Sequence, residues 1–553
     1  MEYERTWRVE ESSLESSVWA DIVNPFTLQL EQRVRNQYQL LDTFEGGIWK
    51  QGDMLLYNSI SGHRGYELWK RADFLSGLPL TMAQEGRKKA RFWWEFATQE
   101  GNPFQEQIKS ACKLRALLEV HSFNLEKIRY AVKNEDLKSV AWLELITLRN
   151  RATDDVPESS RQFVRILPLR GYDHELKKLQ KKIQQMGLPP CSDQWLEKYL
   201  VESGIEPSAY HAKPSIPIEA DDPVRDMVLH YIRTLLDIAR VNEAGIIEDI
   251  DIEFLHDYRV SLRKIRSILS LVRNIFSSEQ TRWLKREFAA IAKRTNHLRD
   301  LDVYLLEQEN YREMVPAALS DGVDELFTSL VAARKRELSR VRRWLRSTEY
   351  RNAIEKLQLS LAGEGEVLGV GDKAEQAVIT VARREFSKKF HKVGKLGSRI
   401  DASTPDEEVH DLRIECKKLR YLLEFFGGLF SRKMQRGAVS TLKKLQDNLG
   451  RFNDLSVQQE SLEAQLKAPD QKQPPLLAAV GGLIGALNHE QRMERARVTE
   501  TFRQFYSAQT RELYAAMVSE GESEKTTVQS ERSESRVKGD YNPGDSKEKR
   551  VKK

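Results

Sequence analysis

From residue 223 to about 517, apolar positions recur every three to four residues almost without interruption. That spacing predicts helices over 223–243, 252–275, 279–300, 301–312, 316–346, 348–361, 372–395, 405–427, 431–450, 452–466 and 474–516. Two of these helices carry a second pattern beside the apolar one. In 256–273, HDYRVSLRKIRSILSLVR, a turn of about 100° per residue places His256, Arg259, Arg263 and Arg266 within an arc of roughly 80°. In 410–426, HDLRIECKKLRYLLEFF, the same turn gathers His410, Arg413, Lys417 and Arg420. The apolar Leu262, Ile265, Leu269 and Val272, like Leu419, Leu423 and Phe426, fall on a neighbouring arc that faces a core, while Asp257, Asp411 and Glu415 point elsewhere. Each helix thus combines a buried stripe with a nearly pure cationic one. Stacking Arg259 over Arg263, or Arg413 over Lys417, costs about 0.2–0.5 kcal/mol in like-charge repulsion, which an anion along the stripe would relieve.

The two helices belong to a longer repeat. The offset 410 − 256 = 154 also carries Asp300, Leu301 and Val303 of HLRDLDV onto Asp454, Leu455 and Val457 of RFNDLSV. It carries Phe288, Ile291 and Thr295 onto Leu442, Leu445 and Leu449. One register that preserves core and charged positions together implies a duplicated helical bundle. Its halves run over about 223–362 and 372–517, divided by the glycine-bearing interval GEGEVLGVG at 363–371.

The motif HxxRxxxKxxRY, with LKKLQDNLGRFND at 442–454, resembles the CHAD domain, the conserved-histidine α-helical domain; the match covers about 220–512. The resemblance implies two related helical halves around a basic channel that binds inorganic polyphosphate. The binding set it implies here is His256, Arg259, Arg263, Lys264, Arg266, Arg299, His410, Arg413, Lys417, Lys418, Arg420 and Lys444.

Residues 1–190 read differently. Candidate strands at Tyr3–Val9, Tyr38–Thr43, Met54–Tyr57, Tyr66–Lys70, Lys127–Val132, Val140–Leu148 and Gln162–Leu169 are separated by turn signals such as EGG, SGHRG and TDD. Helices are predicted at 84–98, 104–120 and 173–187. The economical reading is an α+β domain with an antiparallel sheet or barrel. MEYERTWRV resembles the ExExK strand that opens CYTH domains, the triphosphate-tunnel family. LLDTFEGGIWKQGDMLLYNS and YELWKR resemble that family's following hairpin and lysine-ending strand. Active members hold a divalent metal with tunnel glutamates and hold phosphates with lysines and arginines. Glu2 and Glu4 match the first acids, but Thr6 stands at the lysine position and Tyr57 and Asn58 at the arginines. Arg165 and Leu167 or Pro168 stand where paired glutamates belong. Metal-assisted phosphoryl hydrolysis needs an acidic cage, so the implied domain is degenerate and non-catalytic. No catalytic residue, metal ligand or cofactor is assigned.

Between the two domains, 191–222 is proline-rich and polar and reads as a linker; 518–553 is polar, serine-rich and expected to be disordered. The fold class is therefore multidomain, α+β followed by an all-α duplicated bundle. Of the 553 residues 31% are charged and the net charge is +5, so composition alone would not demand a polyanion; its segregation into stripes does. No apolar run approaches the ~20 residues of a membrane helix, and the first residues lack a secretory h-region. The chain is expected to be cytoplasmic, not membrane-bound, and to associate with polyphosphate granules if polyphosphate is its ligand. Self-association is left open. The three cysteines, Cys112, Cys191 and Cys416, lack metal spacing, and Cys416 lies on an apolar face.

Simpler readings compete at each position. A charge run is ordinarily a solvated helix face, but here the stripe and its histidine occur twice. The pairs His256-Asp257 and His410-Asp411 suggest a metal phosphohydrolase, yet on a helix the two side chains diverge by about 100°. Asp300 and Asp454 read as helix N-caps. Tyr421, Phe425, Phe426, Trp93 and Trp94 read as core. Two other functions stand as alternatives: a triphosphatase or polyphosphatase acting through the N-terminal domain, and nucleic-acid binding by the basic helices. Against the latter, no RNA-binding or zinc-finger signature occurs and no aromatics interleave with the cations.

Overall fold

The computed structural model describes residues 6–9, 16–60, 64–75, 79–84, 89–96, 103–150, 160–192, 194–207, 209–214, 216–365, 368–466 and 473–519. Two compact units emerge, Met1–Pro214 with Glu248–Phe254, and Ser215–Ile247 with Leu255–Lys553.

Among the described residues of the first unit, eight strands form one antiparallel sheet: β1 (Thr6–Val9), β2 (Thr27–Asp42), β3 (Asp53–Asn58), β4 (Gly65–Lys70), β5 (Thr81–Gln84), β6 (Leu118–Lys133), β7 (Ser139–Asn150) and β8 (Ser160–Pro168). Among the described residues their order is β1-β8-β7-β6-β2-β3-β4-β5, with β1 and β5 at the ends. Five helices accompany it: α1 (Ser16–Val23), α2 (Gly47–Lys50), α3 (Pro103–Cys112), α4 (Asp173–Gln185) and α5 (Trp195–Glu202). The period-two rule assigns the faces. Leu143 and Leu145 of β7 pack with Trp19 and Val23 of α1 and Leu176, Leu179 and Ile183 of α4. Ile146 and Leu148, one residue out of phase, pack with Phe74, Phe123 and Trp195, Leu196, Tyr199 and Leu200 of α5.

The sheet departs from expectation in its length and its surroundings. β2 extends back to Thr27 and β6 starts at Leu118, because the outer parts of these two strands pair with each other while their polar side chains face water. The helix expected over 84–98 is instead the end of β5 and a single turn at Trp93–Glu95; 85–88 and 97–100 lie outside the described residues. Trp94 is 46% exposed and stacks on Phe92, so it is not core. The helix expected over 104–120 stops at Cys112, where Lys113 takes φ 53° and turns the chain toward β6. The stretch 191–222 is not a plain linker: α5 lies within it, and its four apolar side chains complete a core of the first unit. Of the expected disordered tail, 520–553 lies outside the described residues, and 518–519 end a helix.

The second unit is helical: α6 (Val224–Glu248), α7 (Ile252–Leu271), α8 (Ser278–Lys293), α9 (Asn296–Leu306), α10 (Gln308–Met314), α11 (Ser320–Leu345), α12 (Thr348–Ala362), α13 (Val378–Gly397), α14 (Asp406–Phe426), α15 (Arg432–Leu466), α16 (Pro474–Phe505) and α17 (Ala508–Ser519). The repeat is visible in where helices begin. The differences 378 − 224, 406 − 252, 432 − 278 and 474 − 320 are each 154. The apolar arcs are buried as expected: Leu262, Ile265, Leu269, Val272, Leu419, Leu423 and Phe426. Truncating one of these leucines to alanine would cost about 2–5 kcal/mol. A shared core joins the halves, with Leu301, Leu326 and Phe327 packing in one cluster with Leu455, Leu483 and Leu487. Where the connection passes back between halves, a Cβ on Gly371 would lie 2.3 Å from the Asn274 carbonyl oxygen, so no side chain fits there.

The halves differ in where their helices are interrupted. The first breaks at Arg294–Thr295, between α8 and α9, whereas α15 runs unbroken from Arg432 to Leu466 instead of dividing near residue 451 as expected. The expected helix 474–516 divides near Tyr506, where the Ser507 hydroxyl caps α17 by accepting from the Thr510 amide at 3.3 Å.

Candidate functional site

The cationic stripes of α7 and α14 line one groove of about 610 Å³ in the helical unit. Its walls carry His256 and seven Arg or Lys side chains (259, 263, 266, 299, 413, 417 and 451) against three carboxylates, Asp300, Glu307 and Asp454. A narrower extension of about 250 Å³ shares Arg263, Arg413 and Lys417 and continues to Arg420 and Tyr421. A larger hollow of about 870 Å³ adjoins through Asp300 and Tyr304, but its His297 and Arg336 are balanced by Asp300 and Glu460, so it offers an anion little.

The break between α8 and α9 fixes the first cation. Arg259 donates to the Ala292 carbonyl at 3.2 Å, the Thr295 hydroxyl at 3.0 Å and the Asn296 side-chain oxygen at 2.7 Å. It thereby ties the end of α8 to the start of α9 across the interruption. Burial lowers its pKa from the ordinary arginine range, opposed by the Asp300 carboxylate. The repeat-equivalent Arg413 has no such anchor. Its Nε is buried without a hydrogen-bond partner, and its nearest acid, Asp454, stands 3.8 Å away. Arg263, Arg266 and Lys417 line the groove with no ion-pair partner among the described residues. At Lys417, burial, then Arg413 and Arg263, lower the pKa to about 8.

The two histidines occupy equivalent places with opposite polarity. Arg299 donates to Nδ1 of His256 at 2.9 Å, so that nitrogen is an acceptor. Residue 299 + 154 is Asn453, whose side-chain oxygen stands 3.0 Å from Nδ1 of His410, so that nitrogen donates. His256 is thus oriented by α9 and His410 by α15. His256 and Arg299 line the groove; His410 is exposed and does not.

Three other residues of the expected set lie off the groove walls. Lys264 is buried and pairs with Glu424 at 3.3 Å. Lys418 turns to Glu415, which it shares with Lys389 and Lys392 at 2.7–3.0 Å. Lys444 is exposed on α15 and lines neither cavity. The reason is helical phase: Lys264 and Lys418 each follow a groove cation by one residue, so they leave the cationic arc by about 100°.

Asp300 and Asp454 are not N-caps. Each lies inside a helix, and each faces the groove opposite an arginine of the stripe. Thr295 occupies the N-cap position of α9, so the signal for a helix start belongs there. The 154-residue offset, which relates Arg259–Asp300 to Arg413–Asp454, was the available clue to their pairing. Phe425 and Phe426 are fully buried, but Tyr421 is half-buried in the groove wall. Cys416 is core and also borders the extension. Arg451, Tyr304, Glu307 and Glu424 enter the groove without having been expected.

In the first unit, Glu2 and Glu4 lie outside the described residues. Thr6 is buried and lies opposite Arg165 in the β1–β8 register. Arg165 is 3.6 Å from the buried Glu144, which Lys127 and Arg129 also approach at 3.2 and 2.6 Å. Tyr57 packs with Tyr66 toward α3, on the face opposite Asn58, which donates to Asn36 at 3.1 Å. Leu167 and Pro168 end β8. Among the described residues, no group of three His, Cys, Asp or Glu side chains is placed to hold a metal ion. Nor does any described helix have the length and apolarity to cross a membrane.

Residues 230–463 match the family described as CHAD domain. Two curated relatives, each called an uncharacterized protein and from two strains of Mycobacterium tuberculosis, are 26% identical over 245 residues, 41% of this chain and 46% of the relative. The chain therefore spans about half the length of the curated relatives it matches. Among solved structures, similarity extends to the CHAD domain from the plant Ricinus communis, with 23% identity and a TM-score of 0.46 over 54% of this chain and 97% of that one. It also extends to PptA from Streptomyces chartreusis, with 17% identity and a TM-score of 0.37 over 51% of this chain and 99% of that one.

Proposed function

We propose, for a chain whose residues 230–463 form a CHAD domain, that the groove between its helical halves binds inorganic polyphosphate without transforming it. The CHAD domain is in general associated with polyphosphate. The observation that carries the reading is that Arg263, Arg413 and Lys417, drawn from both halves, wall both parts of one groove and include a buried guanidinium nitrogen without a partner. A linear polyanion with about one negative charge per unit supplies acceptors at regular spacing. Arginine can chelate its oxygens in pairs while lysine contributes a compact charge. Low dielectric around half-buried side chains strengthens each contact.

Titration with a short-chain inorganic polyphosphate tests this. One chain should bind at the groove, with affinity falling steeply as salt rises and bound counterions are released, by analogy with nucleic acids. Arg263→Ala with Arg413→Ala should weaken binding about a hundredfold, since hydrogen bonds to charged groups contribute about 1.5–3 kcal/mol each. Two equivalent, independent sites per protein would refute a shared groove. Affinity indifferent to salt would refute the electrostatic basis, and tighter binding of RNA or DNA than of polyphosphate would refute the ligand.

A further inference from the structure

Among the described residues, Glu424 is the sole carboxylate on the wall of the narrow extension, where it faces Arg263, Arg413, Lys417 and Arg420. Its two oxygens are divided between the halves. Oε1 accepts from Nε of Arg420, one turn earlier on α14, at 3.1 Å, and Oε2 stands 3.3 Å from Nζ of Lys264 on α7. Lys264 is 9% exposed at its side chain, so Glu424 is the counter-ion that makes its burial tolerable. The duplication did not supply this acid to both sides. Residue 424 − 154 is Ser270, whose hydroxyl bonds back to the Arg266 carbonyl of its own helix at 2.8 Å. Arg266, the counterpart of Arg420, is left without an acid on its own face.

A carboxylate in this position presents to Arg420 the same chemistry that a phosphate oxygen would present. We infer that Glu424 is an internal counter-ion which competes with the bound polyanion for Arg420 and so sets the groove's affinity below what its cations alone would give. This rests on the polyphosphate reading. Two effects follow from the geometry. Arg420 approaches a ligand with its Nε already engaged, leaving only its terminal nitrogens to donate. A phosphate unit entering the extension also meets a fixed negative charge, whose repulsion is strong when salt is low and is screened as salt rises.

The test is polyphosphate affinity in Glu424→Gln, measured with the full chain and a defined short-chain inorganic polyphosphate. Glutamine keeps the shape and removes the charge. Binding should tighten about tenfold at low salt, the gain should shrink toward nothing as salt rises, and added polyphosphate should raise the melting temperature of the variant more than that of the native chain, because a ligand held more tightly stabilises the folded state more. Should the lone buried ammonium prevent folding, Lys264→Met with Glu424→Gln removes both charges and leaves the groove-lining cations intact; it should tighten binding to the same degree. A native chain that binds, beside folded variants of equal or weaker affinity, overturns the counter-ion role and leaves Glu424 as structural support alone. No binding by the native chain would instead remove the polyphosphate reading on which the inference stands.

Discussion

If the groove takes polyphosphate as proposed, Lys417 should make that binding sensitive to pH between about 7 and 9. Desolvation, then the charges of Arg413 and Arg263, lower its pKa to about 8 against 10.5 for an ordinary lysine, while Asp454 pulls weakly the other way. An anion beside the ammonium would restore the ordinary value, so binding takes up a proton when the free protein has lost it. Between pH 7 and pH 9 the protonated share of a group titrating near 8 falls about tenfold, which at 1.36 kcal/mol per decade is about 1.4 kcal/mol. Solvent reaches this side chain, and screening should reduce the observed loss of affinity to about three- to tenfold. Stability moves in the opposite direction. The unfolded chain keeps this proton up to pH 10.5 and the folded chain releases it near 8, so folding gains stability as pH rises through that window. The assay is affinity for a short polyphosphate at constant ionic strength from pH 7 to pH 9.5, with Lys417→Arg as the comparison because arginine stays charged throughout. The neighbouring Tyr421 hydroxyl is pushed up by burial and does not titrate early. A native profile that is flat, or a Lys417→Arg profile that falls as steeply, would refute the assignment.

Lys418→Ala should leave polyphosphate affinity unchanged, since Lys418 is engaged with Glu415; a tenfold loss in the same titration would return it to the groove. Burial would raise the Glu415 carboxyl, but Lys418, Lys389 and Lys392 outweigh it and hold the group down to about 2. The stability it contributes is therefore present above about pH 4.5 and lost as pH falls toward 2, and acid unfolding should be less steep in Glu415→Gln. In the first unit, Ile146, Phe163 and Trp195 pack on the sheet face that also bears Arg165, and no magnesium-dependent hydrolysis of triphosphate is expected; phosphate release that disappears with Glu2→Ala and Glu4→Ala would contradict this.

What could be read in advance follows from how local the cause is. The stripes of α7 and α14, and the apolar arcs beside them, depend only on helical phase, so residue spacing sufficed to separate Arg263 from Leu262. The repeat was equally legible, because one offset preserved both kinds of position. Lys264 and Lys418 stand off the groove walls because one step along a helix swings a side chain away from its neighbour, and only the packing revealed Glu424 and Glu415 as their partners. Asp300 and Asp454 were hidden because the helix start lies at Thr295 in one half and the other half has no start there at all. In the first unit, α5 escaped notice because its surroundings are proline-rich. Its four apolar residues gain meaning only once the sheet face they cover exists.

The interruption between α8 and α9 leaves the two banks of the groove mechanically unequal. Arg259 is clamped by three acceptors at the interruption, while Arg413, above an unbroken α15, has one distant carboxylate for company. An arriving chain would meet, on one bank, a guanidinium whose orientation was settled during folding and costs no rotamer freedom on capture. On the other it would meet side chains that must still choose their pose. Interrupted helices on one side and an unbroken α15 on the other turn two repeat-related banks into an anvil facing a set of fingers.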